Sequence, residues 1–139
     1  MAGWNPWAAA RAHLHLEILY DDVPDGATWH RDAQGDCITI SASADRRQRR
    51  ALLAHELIHM ERGIGYPVAT AATMQREEAI VRRETAVRLV PLAELTALIE
   101  RADGIEPITP ALVGDEFDVP EHVAMEAMLA LRQRQHAMR

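Results

Sequence analysis

Leu52-Leu53-Ala54-His55-Glu56-Leu57-Ile58-His59-Met60 decides how this chain is read. The stretch reads as part of a long helix and contains His-Glu-x-x-His. An α-helix turns about 100° per residue, so residues four apart stand nearly above one another. His55 and His59 therefore project from one face, close enough for both imidazoles to bind one metal ion. Zn2+ is the ion such a pair suits. Glu56 lies beside that face, where it holds a metal-bound water and acts as a catalytic base rather than as a ligand. Leu53, Leu57 and Ile58 are apolar, so the helix is expected to be buried except along its polar edge, which is what a dry, shaped metal site needs. The competing reading is a pair of histidines at the edge of a core, with Glu56 an incidental carboxylate in solvent.

Working outward, the helix is expected to run from about Asp45 to Arg62, capped by Ser43 or Asp45 and stopped by Gly63. Its first turns, Arg46-Arg47-Gln48-Arg49-Arg50, are basic. Arginines there oppose the helix macrodipole, so helix stability does not select them. They read as a solvated helix end, with a docking patch for an acidic partner as the functional alternative.

Upstream, Asn5-Pro6 resembles an N-cap with proline at the first helical position, opening a short helix from about Pro6 to Arg11 or His13. Trp4 and Trp7 are expected to pack it down. Strand candidates follow at Leu14 to Leu19, Ala27 to Arg31 and Cys37 to Ser41, the last β-branched at three positions. The turn residues Asp32-Ala33-Gln34-Gly35-Asp36 make the last two a hairpin. The expected fold class is α+β: a small zincin-like domain with a short antiparallel sheet packed on the His-Glu-x-x-His helix, and a helical C-terminal part. Residues 1–139 read as one domain, with a core over about 1–104 and a helical hairpin tail over about 105–139.

Downstream, Gly63-Ile64-Gly65-Tyr66-Pro67 is a loop. A helix from about Thr70 or Thr73 to Val90 follows, then Leu92 to about Arg101, about Pro110 to Glu116, and Pro120 to Gln135. Catalytic zinc sites normally hold three protein ligands and one open position. One zincin subclass continues with Gly three residues after the second His and a third His three later; Arg62 and Gly65 stand there, so that subclass is excluded. The third ligand is then a carboxylate on the next helix. Glu78 shares a stripe with Val81, Thr85 and Leu89, and a carboxylate among apolar neighbours needs a partner such as a metal. Glu78 is the favoured ligand, with Glu84 and Glu77 as alternatives. Glu77, Glu84 and Arg88 share a stripe that reads as solvated, its carboxylates paired with Arg82, Arg83 or Arg88. His13, His15, His30, His122 and His136 lack ligand spacing and read as structural or solvated. His30 and Tyr66 are the candidate donors to a developing oxyanion.

Composition narrows the rest. The chain has 139 residues, 48% hydrophobic, with six aromatic residues among Trp, Tyr and Phe, so its core must be largely aliphatic. Its single cysteine, Cys37, excludes an internal disulfide and a cysteine zinc cage, and fits a reducing compartment. No signal peptide and no apolar stretch of membrane length are visible, so a cytoplasmic location without membrane attachment is expected. A net charge of −6 argues against a general grip on nucleic acid. The tail from Ala111 to Val123 has the rhythm of a helix-turn-helix. Its second helix opens Pro120-Glu121-His122, acidic where base-reading helices are basic or amide-rich. Packing onto the core or onto a protein partner is the better reading.

With these residues in place, the chain resembles the ImmA/IrrE family of small zinc-dependent metallopeptidases over roughly residues 35–100. The likeness is carried by Arg49-Arg50-Ala51-Leu52-Leu53-Ala54-His55-Glu56-Leu57-Ile58-His59, then Arg76-Glu77-Glu78-Ala79-Ile80-Val81, then Thr85-Ala86-Val87-Arg88-Leu89-Val90-Pro91. Ile80 and Arg82 depart from the family pattern, standing where acidic or Asn residues often occur. The resemblance implies a zinc-dependent endopeptidase cleaving a helix-turn-helix repressor, with His55 and His59 on zinc and Glu56 as general base. The alternative is a catalytically silent metal-binding regulator or a protein-interaction module.

Overall fold

The computed structural model describes residues 3–24, 26–64 and 70–139. Its elements are α1 (Pro6–Arg11), β1 (Leu16–Asp21), β2 (Ala27–Asp32), β3 (Gly35–Ser41), α2 (Arg46–Arg62), α3 (Ala71–Leu89), α4 (Leu92–Ala102), α5 (Pro110–Phe117) and α6 (Glu121–Ala137). The class is α+β, with one three-stranded sheet and six helices among the described residues. Most of the loop after α2, including Tyr66, lies outside them.

Local chemistry starts and stops the helices. The Asn5 side chain accepts from the Trp7 backbone N–H at 2.9 Å, with Pro6 occupying a position that needs no donor. Asp45 and Gln48 form a reciprocal capping box at the head of α2. Gly63 ends α2 in the left-handed conformation, at φ 69°. The Thr70 hydroxyl accepts from the Thr73 N–H and caps α3.

The sheet corrects one expectation. Its order is β1-β3-β2, with β3 antiparallel to β2 but parallel to β1, so it is mixed rather than antiparallel. The loop after β1 steps over the far end of β3, where Ser41 N–H donates to Gly26 and Ala42 N–H donates to Asp21. The chain then returns through the β2–β3 hairpin and β3 slots between its two predecessors. The β1 strand thus meets β3 by a crossover, which no hairpin signal announces. Gly35 permits the closest approach. A Cβ there would lie 2.3 Å from the His15 carbonyl oxygen, and its φ of 133° disfavours any other residue.

The α2 helix lies between two apolar layers. Leu53, Leu57 and Met60 pack against Ile38 and Ile40 of the sheet, with Ala10 of α1 and partly buried Trp7. Ala51 and Ala54 face the helical layer, which contains Ala86 and Leu89 of α3, Leu95 and Leu98 of α4, Val113 and Phe117 of α5, and Val123, Ala124, Ala127 and Leu131 of α6. Trp4 touches both layers. The α5–α6 hairpin is therefore packed into the core shared with α2 and α3.

The arginines of the first turns of α2 are paired within the chain rather than a free docking patch, although the Arg46 side chain stays 77% exposed. Arg46 makes a two-point pair with Asp118, Arg47 reaches Asp115 and Asp118, and Arg50 donates to the carbonyls of Phe117 and Asp118. Arg49 donates to the carbonyls of Ala42 and Ala44 and lies over the Tyr20 ring. Three of the four thus bind the C-terminal end of α5, where exposed carbonyls and the helix dipole favour cations. Their partners stand 67 to 72 residues away, beyond any local pattern.

Candidate metal centre

One face of α2 is left to a groove of about 1100 Å³. Its floor carries Leu52, His55, Glu56 and His59, one wall is β2, and the other is α3 with the head of α6. The β2 strand pairs with β3 along one edge; its residues 27–31 line the groove.

Helical geometry sets the two histidines one turn apart, with ring centroids 4.8 Å apart. Glu78 comes from the second turn of α3, which lies against the C-terminal half of α2. Three side chains then converge. His55 Nε2 is 3.0 Å from Glu78 Oε2, His59 Nε2 is 2.7 Å from Glu78 Oε1, and the two Nε2 atoms are 3.2 Å apart. Among the described residues this is the one group of His, Cys, Asp or Glu side chains arranged to hold a metal ion.

Proton counting tests the fit. An ionised carboxylate only accepts, and a neutral imidazole Nε2 is either a donor or an acceptor. Both contacts to Glu78 require both Nε2 atoms to donate. The contact between them then sets donor against donor. No set of protons on neutral rings satisfies all three contacts. A cation among them, taking a lone pair from each, does. Tetrahedral zinc with nitrogen and oxygen ligands separates neighbouring donors by about 3.3 Å. The separation of the two Nε2 atoms, 3.2 Å, is close to that value, while the contacts to Glu78, at 3.0 and 2.7 Å, are shorter.

Burial sets the protonation states around the cluster. Burial lowers the pKa of His55 and outweighs the Glu78 charge that raises it, so the neutral, ligating form is favoured. Burial, and then the negative charge of Glu78, pushes Glu56 up to about 8. A cation beside it would act in the opposite direction, toward the ionised carboxylate a base requires.

Glu77 corrects a second expectation. It does not lie on a solvated stripe: it is 3% exposed and is held by the Arg62 guanidinium through both carboxylate oxygens. That hydrogen-bonded pair holds the Glu77 carboxyl below the usual carboxylate range. The two adjacent glutamates both flank Val81, at spacings of four and three, so both turn toward α2. Arg62 captures one and the histidines meet the other. Glu84 pairs with Arg88, which also reaches Glu61 and lies over Trp4. Glu84 and Glu77 are thus engaged elsewhere.

Of the weaker candidates, His30 is exposed on β2 and lines the groove, Tyr66 lies outside the described residues, and His13, His15 and His136 do not line the groove. His122, read from sequence as structural or solvated, lines it from α6, together with Glu126 and, from α3, Arg82. The hairpin's packing brings His122 and Glu126 there, whereas Arg82 stands four residues after Glu78 on α3. Compared with protein-family models and with curated proteins, the chain matches none at a significant level.

Proposed function

We propose that the chain is a zinc-dependent endopeptidase of the ImmA/IrrE type, with a zincin-like arrangement of sheet and helix. The observation that carries the reading is the convergence of His55, His59 and Glu78, whose ligand atoms all lie within 4.8 Å of one another, in an open groove that Glu56 also lines. Two imidazoles and one carboxylate are a zinc-type donor set that leaves a coordination position free.

The groove suits an extended peptide. The outer edge of β2 carries backbone donors and acceptors unpaired with another strand among the described residues, so a substrate adds there as a further strand. This delivers a peptide carbonyl across the floor of the groove, above α2. A zinc ion at the site supplies a Lewis acid and lowers the pKa of water toward neutrality. Glu56 takes the proton from the attacking water. The water oxygen bonds to the carbonyl carbon, and Glu56 returns the proton to the amine nitrogen as the C–N bond breaks. Arg62, by fixing Glu77, holds the start of α3 so that Glu78 faces the histidines.

The substrate is a protein, and a helix-turn-helix repressor is the candidate the resemblance supplies. Nucleic acid is not proposed as a partner. No helix among the described residues is long and apolar enough to cross a membrane. A cytoplasmic location belongs to the same proposal and rests on the sequence alone.

The test is a pair of measurements on the zinc-loaded chain and its Glu56→Gln variant: metal stoichiometry, and cleavage of labelled casein and of candidate repressors. The variant is expected to keep the metal and lose about 100- to 10,000-fold in rate. Equal rates would sink the peptidase reading. A parent that binds zinc and cleaves nothing would leave the metal-binding regulator in its place.

A further inference from the structure

The peptidase reading leaves one task unassigned, that of holding the charge which develops on the scissile carbonyl oxygen. Two arginines line the groove, Arg31 and Arg82. Arg31 is committed: its guanidinium is 2.8 Å from Asp36 and also donates to the Met60 carbonyl at 3.3 Å. Arg82 is not. Among the described residues its nearest carboxylate is Glu126, at 3.9 Å, beyond hydrogen-bond reach, and its side chain is 59% exposed.

Its position on α3 matters as much as its freedom. Arg82 follows Glu78 by four residues, so the two share a face about 6 Å apart along the helix axis. Side chains on a helix lean toward its N-terminus, which here carries the Arg82 stem back toward Glu78 and the histidines. Arg83, the next residue, points elsewhere and donates to Gln133 of α6. Glu126 keeps the Arg82 guanidinium at the groove wall without consuming its donors. An arginine stays charged at any working pH and offers a planar fork of N–H groups.

We propose that Arg82 is a catalytic residue of this site, whose guanidinium hydrogen-bonds the scissile carbonyl oxygen and stabilises the negative charge that gathers there as water adds. It exchanges no proton. The inference rests on the peptidase reading above.

The experiment uses the zinc-loaded full chain and the best-cleaved member of a quenched fluorogenic peptide library. Arg82→Gln is expected to lower kcat by about 100- to 1000-fold, with KM within about threefold and zinc stoichiometry unchanged. Arg82→Lys should recover part of the loss, and Arg83→Gln should leave activity as it was. A phosphinic analogue of the same peptide, which carries a tetrahedral anion in place of the amide, should lose affinity for Arg82→Gln by a comparable factor. The unmodified peptide should bind Glu56→Gln and the Glu56→Gln/Arg82→Gln double variant equally. An intact kcat in Arg82→Gln, a loss confined to KM, or a kcat loss in His30→Gln instead would overturn the assignment while leaving the peptidase reading standing. A parent whose cleavage survives Glu56→Gln would overturn the reading itself, and this inference with it.

Discussion

The two halves of α2 use the same helix in opposite ways. The N-terminal half carries four arginines, and all of them are bound to acceptors on the β3–α2 loop or the end of α5. The C-terminal half carries two histidines and a glutamate, and these face a groove. Charge in the first half is spent on holding the helical hairpin in place. In the second half, polar groups meet one another with a contact set that protons cannot complete. A charged cluster therefore signals a site only where its hydrogen-bonding capacity is left over. Arg46 to Arg50 look the more conspicuous in sequence, yet each has a structural partner.

The largest expected effect breaks the second half alone. His59→Ala removes the most buried donor of the three and should weaken zinc binding by more than about 100-fold, the upper range for loss of an outer partner. Activity should fall with the metal. Calorimetric titration with zinc checks the first statement and peptide cleavage the second. Arg47→Ala, at the other end of the same helix, should leave zinc affinity unchanged. If it weakened binding as much, the two halves would not be separate in function.

A smaller effect breaks the first half. Asp118 holds Arg46 and Arg47 and is the one non-glycine described at positive φ, at 58°. Asp118→Ala removes two charged contacts and puts a β-carbon residue without a local hydrogen bond in the left-handed region. Partial exposure of the pairs screens the loss, so a destabilisation of about 2 kcal/mol is expected in urea unfolding. Asp118→Gly keeps the conformation and loses only the contacts, and should cost about 1 kcal/mol. Should both variants cost the same, the contacts alone carry the clamp and the backbone conformation contributes nothing.

What could be read from sequence was whatever lay within one or two turns of chain. Asn5-Pro6, Asp45 and Gly63 mark helix ends through side chains that reach two or three residues. His55 and His59 share a face by the helical repeat alone. The parallel pairing of β1 with β3 was not legible, because it depends on a loop passing over the end of a strand not yet reached in the chain. The arginines of α2 were misread for the same reason, their acceptors being supplied by the α5 end. Glu77 and Glu78 show the limit most plainly: both turn toward α2, and only the position of Arg62 decides which one is tied up. His122 carries no local signal, and the spacing of Arg82 from Glu78 acquires meaning only from the groove made by packing α3 and α6 against α2.

The smallest expected effect lies where the sheet meets the C-terminal half of α2. Asp36 accepts from Trp29 Nε1 at 2.9 Å and from Arg31 Nε at 2.8 Å, while Arg31 also reaches the Met60 carbonyl of α2. Burial raises the Asp36 pKa, but the hydrogen bonds from Arg31 and Trp29 and the Arg31 charge together outweigh it, so the carboxyl sits below its ordinary 3.8. A carboxyl depressed in the folded state binds fewer protons there than in the unfolded chain. Its contribution is therefore complete above the unfolded value and disappears as pH falls through the folded one. Asp36→Asn keeps an oxygen for Trp29 and loses only the charge. The parent should exceed this variant by up to about 1 kcal/mol near neutral pH, given that Arg31 is half exposed. That margin should shrink below about pH 4 and in high salt, measured by urea unfolding across pH. A margin that held constant from pH 7 to pH 2 would mean that the sheet is fastened to this end of α2 by shape alone, without the charge that fastens the other end to α5.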